Sequence, residues 1–186
     1  KDCVIVDPGD EAKRIKKFIE DQELHPVAIL LTHGHFDHVM AVDSVRAAYH
    51  IPVYAAEAEK ETMQDASINL SINMGGAMLS IEADHWLKDG ETITLLDQEV
   101  RCILTPGHTV GGMCFYFPKA GMLFSGDTLF QESVGRTDFP GGSMSEIVRS
   151  IREKLFVLPD AVQVYPGHGL MTSIKNEKMF NPFAVE

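Results

Sequence analysis

Between Thr32 and His38 the chain reads Thr32-His33-Gly34-His35-Phe36-Asp37-His38, three imidazoles and a carboxylate within six residues. Packing these groups together without a cation would leave polar atoms competing for few partners, so the pattern points to metal binding. His33 and His35 are two apart and, in an extended segment, point to the same side, where they can grip one ion. Asp37 and His38 follow at a turn, free to face another direction and grip a second. The spacing predicts two metals. Imidazole and carboxylate donors without thiolate suit Zn, Fe or Mn.

Three later stretches repeat the theme of an apolar run ending at a turn residue and a candidate ligand: Thr105-Pro106-Gly107-His108-Thr109, Phe124-Ser125-Gly126-Asp127-Thr128 and Tyr165-Pro166-Gly167-His168-Gly169. Glycine beside each candidate lets the backbone turn sharply and approach a bound group. With the first cluster they offer five His and two Asp. Two ions would need that number if Asp127 bridged them and one position stayed open for water.

The elements that must position these groups follow from periodicity. Val27 to Leu31 reads as a strand buried on both faces and Asp37 to Tyr49 as a helix, which puts the first cluster on a strand-to-helix turn, where α/β folds hold ligands. A first strand at Cys3 to Val6, a helix over residues 11–21 and a strand around His50 to Tyr54 complete a β-α-β alternation with parallel pairing. Another helix runs from Glu57 to Asp65. Ala66 to Leu87 has no clean period and is either a cover over the site, given its glycines and methionines, or an ordinary surface excursion. His85, at its end, is not a ligand candidate. From Glu91 the texture changes to short, closely spaced strands at 92–96, 100–104, 113–117 and 122–125, which argues for antiparallel neighbours. Ser143 three residues before Glu146 reads as a capping box for a helix from Met144 to Leu155, Val162 to Tyr165 is the last strand, and a short helix near Lys175 to Phe180 follows.

At 186 residues, 45% hydrophobic, the chain is expected to form one domain over residues 1–186. Sixteen Lys and Arg against 27 Asp and Glu give a net charge of −11, which counts against nucleic-acid binding. No stretch approaches the roughly 20 apolar residues that would span a bilayer, and no charged-then-apolar leader appears, so neither a membrane nor export is expected. Cys3, Cys102 and Cys114 are odd in number and form no CxxC pair, the usage of reduced core thiols in a cytoplasm. A strand begins almost at once after Lys1, which points to natural sequence preceding it.

The Thr32 to His38 pattern, together with His108, Asp127 and His168, resembles the metallo-β-lactamase superfamily, and within it the glyoxalase II group of hydroxyacylglutathione hydrolases, especially short single-domain bacterial members. The likeness extends to the Asp7-Pro8-Gly9 turn, the stretch from Ser133 to Gly142 with its Gly135-Arg136-Thr137-Asp138-Phe139 core, and Asn181-Pro182-Phe183. It implies a four-layer αββα sandwich, α/β in class, whose opening strands precede Lys1. It implies that His33, His35 and His108 hold one metal, Asp37, His38 and His168 a second, with Asp127 spanning both, and that the metal is zinc.

Two cations about 3.5–4 Å apart can share a water and lower its pKa from about 15.7 to about 7. Hydroxide would then attack without a side-chain base, Asp37 serving as ligand and as orienter of the nucleophile. The implied reaction is hydrolysis of a thioester such as S-lactoylglutathione. Long glyoxalase II enzymes add a helical domain with basic residues for glutathione; this chain ends soon after Phe183, which leaves Arg136 as the candidate to meet a substrate carboxylate, unless it only pairs with Asp138. A mononuclear iron persulfide dioxygenase and another small ester or lactone hydrolase are the alternatives. Antibiotic hydrolysis is not expected, because zinc β-lactamases commonly place a cysteine in the second metal site.

Overall fold

A computed structural model describes residues 1–184. Alternation of buried side chains along its strands sorts the core into three compartments, and these define four layers. Strands β1 (Asp2–Val6), β2 (His25–Leu30), β3 (Val53–Ala56) and β4 (His85–Leu87) form a parallel sheet in that order. The second sheet runs β12-β11-β8-β7-β6-β5, from β5 (Thr92–Leu95), β6 (Gln98–Leu104), β7 (Met113–Phe117), β8 (Met122–Gly126), β11 (Gln163–Pro166) and β12 (Thr172–Ser173). Its β5 to β8 segment is antiparallel, as the close spacing predicts, while β11 lies parallel to β8.

Strand β7 is buried throughout and shows why the layers separate. Met113, Phe115 and Phe117 face the first sheet, joining Leu30, Ala56 and Leu87, while Cys114 and Tyr116 face the opposite way toward helices. Cys102 and Cys114 lie on neighbouring strands one register step apart, Cys102 opposite Phe115 and Cys114 opposite Ile103. They therefore belong to different compartments and point apart. Burial raises their thiols to about 12 and about 11.

Outside the first sheet pack α1 (Ala12–Asp21) and α3 (Val42–Tyr49), with Ile29, Val45 and Val53 in the shared core. Outside the second lie α5 (Met144–Ser150), which widens into a π-turn over Ile151–Leu155, and α6 (Ile174–Phe180). Ser143 caps α5, its hydroxyl accepting from the Glu146 N–H at 3.3 Å. The box is only half made, because the Ser143 N–H goes to the Gly107 carbonyl and Glu146 reaches Arg149. Among the described residues no helix is long and apolar enough to cross a membrane.

Three sequence expectations need correction. The helix expected over Asp37 to Tyr49 is two helices, α2 (Phe36–Val39) and α3, because the Ala41 N–H bonds to the Pro8 carbonyl at 3.0 Å instead of continuing the helical ladder. The last strand is β12, not the one at Val162 to Tyr165, and a two-residue hairpin of β9 (Leu129–Phe130) and β10 (Ser133–Val134) also escaped the reading. Helix 57–65 is a 3₁₀ turn, Glu57–Glu59, leading into α4 (Lys60–Gln64).

Candidate metal centre

All seven predicted ligands come to one place, at the ends of β2, β6, β8 and β11. The ligand atoms of His33, His35 and His108 lie within 4.8 Å of one another, and so do those of Asp37, His38 and His168. Asp127 lies between the groups. Its Oδ2 is 3.6 Å from the Nε2 of both His108 and His168, and its Oδ1 is 3.4 Å from His38 Nε2. Glycine makes room for this carboxylate: a Cβ on Gly167 would fall on Asp127 Oδ1 and the His38 ring.

The donor spacing suits a bound ion. A tetrahedral ion with bonds of about 2.0–2.1 Å holds its donors about 3.3–3.4 Å apart. His35 Nδ1 is 2.9 Å from His108 Nε2, His38 Nε2 is 3.2 Å from His168 Nε2, and His168 Nε2 is 3.3 Å from Asp37 Oδ2. Buried atoms without hydrogen-bond partners include His33 Nε2 and Asp127 Oδ1, which is what a donor set built for a cation leaves behind.

Neighbours fix the tautomers. His108 Nδ1 lies 2.7 Å from the Arg136 carbonyl, an acceptor only, so the ring donates there and presents a bare Nε2 to the centre. His38 Nδ1 lies 2.9 Å from Asp7 Oδ2 and donates to it, which turns Nε2 toward the centre. Thr32 donates its hydroxyl to Asp7 at 2.5 Å and can therefore accept from His33 Nδ1 at 3.1 Å. Asp7 also accepts from the Thr32 N–H at 2.7 Å. It thus orients two histidines at once, from a left-handed backbone (φ 47°) that aspartate tolerates better than most residues. In the sequence Asp7 is only part of a turn, and its reach across 25 and 31 residues has no local signal.

Electrostatics ask for positive charge at one group and neutrality at the other. Desolvation, helped by surrounding imidazoles, drives His33 well below its ordinary value and His35 down to about 3, and it also lowers His108. For His38 burial works in the same direction but loses to the Asp7 bond and the charges of Asp7, Asp127 and Asp37, which push it up to about 9. Burial raises Asp127 against the pull of its histidine neighbours. His33, His35 and His108 are therefore neutral donors, while the carboxylates around His38 favour a cation.

Over the centre opens a cavity of about 430 Å³ walled by Phe36, Leu70, Met74, Phe130 and Phe139. Leu70 and Met74 come from the excursion over residues 66–87, which therefore does line the site. Its base is pinned: the Asn69 carboxamide donates to the Leu79 carbonyl and accepts from the Ser71 N–H, and the Asn69 carbonyl accepts from Phe36 N–H. His85 stacks on Tyr54, with no place among the ligand groups. Arg136 lines the cavity but is forked to Asp138 by two bonds of 2.7 Å and lies 3.8 Å over the Phe139 ring.

A family model described as the metallo-beta-lactamase superfamily matches residues 1–168. The chain belongs to this superfamily. Among curated superfamily relatives, it is 41% identical over 182 residues to a probable metallo-hydrolase, YqgX, of Bacillus subtilis (strain 168), covering 97% of this chain and 86% of that one. It is 36% identical over 187 residues to the hydroxyacylglutathione hydrolase GloC of Haemophilus influenzae, covering 98% and 87%. Among solved structures, BLEG-1 B3 metallo-β-lactamase matches with a TM-score of 0.95 at 40% identity, over 100% of this chain and 90% of that one. TTHA1623 in a di-iron-bound form matches at 0.85 with 36% identity, over 96% and 87%, and ETHE1 from Myxococcus xanthus at 0.80 with 26%, over 98% and 74%.

Proposed function

We propose that the protein is a metal-dependent hydrolase that cleaves a thioester, of the kind S-lactoylglutathione represents, into an acid and a thiol. The observation that carries this reading is the pair of facing donor groups sharing Asp127 at the floor of a largely apolar cavity. The likeness to a hydroxyacylglutathione hydrolase supports the substrate class, and the likeness to a di-iron protein supports two metals. His33, His35 and His108 would hold one ion, Asp37, His38 and His168 the other, with Asp127 shared; zinc is the first choice, iron or manganese the alternatives.

Two cations in such a site supply Lewis acidity and a water acidified toward neutrality. The chain's own residues supply the rest. Asp37, its side chain 40% exposed and on the cavity wall, can orient a proton there as well as ligate. Phe36, Phe130 and Phe139 shed water and take up the carbon skeleton of the substrate. A thiolate leaves readily, so no general acid is needed at the leaving group. Arg136 is the candidate contact for a substrate carboxylate, which would have to displace Asp138 to reach it.

A second reading, opening of a β-lactam ring, rests on the BLEG-1 likeness, and a third, oxidation of a persulfide at a single iron, remains from the sequence resemblance. Elemental analysis of purified protein with a panel of S-lactoylglutathione, a β-lactam and glutathione persulfide with oxygen uptake separates the three. Two metal equivalents and thioester turnover are expected, with both abolished in His35→Ala and Asp127→Ala. Turnover in a metal-free variant, or one iron with oxygen consumption, overturns the proposal.

A further inference from the structure

Behind the His33, His35 and His108 group sits a buried carboxylate that touches none of the seven candidate ligands. Glu59 is 1% exposed and occupies the 3₁₀ turn between β3 and α4. Its Oε1 accepts the Gly34 N–H at 2.9 Å, from the residue between His33 and His35. Its Oε2 accepts the Thr109 hydroxyl at 2.9 Å and the Gly111 N–H at 2.8 Å, just past His108. One side chain thereby ties together two loops that come from different sheets.

The backbone tells the same story independently. A Cβ on Gly34 would press on Met63, 3.0 Å from its N, and a Cβ on Gly111 would overlap the backbone of Ala58 and Glu59. Both ligand loops are therefore seated on one wall, residues 58 to 63, by absence of side chain as well as by hydrogen bond. Burying a carboxylate carries a desolvation cost that a purely apolar filler would avoid. Three donors aimed at it, all from the ligand loops, give the cost a purpose.

We propose that Glu59 is a positioning residue that sets the separation of His108 from the His33 and His35 pair, and so the affinity of the first metal position alone. This rests on the reading that those histidines hold a metal. The second group, Asp37, His38 and His168, is oriented by Asp7 and by other strand ends, outside the reach of Glu59.

The test is to titrate metal-free wild type, Glu59→Gln and Thr109→Val with Zn²⁺ against a chromophoric chelator, and with Co²⁺ followed by its visible absorption. Glutamine keeps the size, but either the Gly34 or the Gly111 N–H must then face an NH₂ group. Wild type should take up two equivalents. In Glu59→Gln one of the two should weaken about 10- to 100-fold, the scale for removing a group that orients ligands, and the other should stay unchanged, with one set of cobalt bands altered. Thr109→Val removes a single donor and should show the same selective loss to a smaller extent. Two equivalents bound by Glu59→Gln as tightly as by wild type, or both weakened alike, overturn the proposal. Wild type that binds no metal overturns the reading of the histidines themselves, and the brace with it.

Discussion

At the scale of single residues, the groups behind the candidate donors decide which nitrogen an imidazole presents. Asp7 is the clearest case, since it accepts from His38 and from both the N–H and hydroxyl of Thr32, and through Thr32 reaches His33. Asp7→Asn should weaken both metal equivalents in the chelator titration, the one at His38 about 10- to 100-fold and the one at His33, reached only through Thr32, less, leaving the fold in place. The same residue governs the metal-free protein. His38 titrates at about 9 when folded, above the ordinary histidine value of about 6.5. Its proton therefore contributes stability that is fully present below about pH 6.5 and is lost as pH rises through about 9. Melting temperatures of metal-free wild type should fall across that window, and Asp7→Asn should flatten the slope. An equal slope in both proteins would assign the titration elsewhere.

At the scale of elements, the strand ends do the positioning, and each ends on a turn that only a small residue fits. Gly167 follows β11 directly and has room for no side chain, since a Cβ there meets both Asp127 and His38. Gly167→Ala is expected to lose at least one metal equivalent with little change in melting temperature of the metal-free form; full metal uptake would show that the turn yields. These strand ends were legible in the sequence because an apolar run, a glycine and a ligand are adjacent residues. The break between α2 and α3 was not, because it is imposed by the Pro8 carbonyl and the close seat of Gly9 under the Asp37 carbonyl, contacts from the far end of β1. Likewise β9, β10 and β12 have two residues each, too few for a period to show. The seven candidate donors stand out by spacing and by their place after an apolar run and a turn. Asp7 and Glu59 do not stand out in this way, because carboxylates in a turn and in a polar-rich helix carry no mark of what they will touch.

At the scale of the whole molecule, charge sets the terms on which a substrate arrives. The chain carries −11, which two dications would offset only in part, and the one guanidinium on the cavity wall is already paired with Asp138. An exposed pair of this kind holds weakly, so Asp138 screens Arg136 without locking it. An anionic thioester thus approaches through a repulsive field that reaches about 30 Å at 0.01 M salt and about 8 Å at 0.15 M. For a carboxylate-bearing thioester kcat/KM should rise with ionic strength over that range, while a neutral thioester of similar size should respond little. Asp138→Asn should lower KM for the anionic substrate at low salt and leave the neutral one unchanged, because it unmasks Arg136 and removes one repelling charge. If the two substrates respond alike to salt and to Asp138→Asn, then neither the net charge nor Arg136 selects the thiol half, and the apolar walls built by Phe36, Phe130 and Phe139 do.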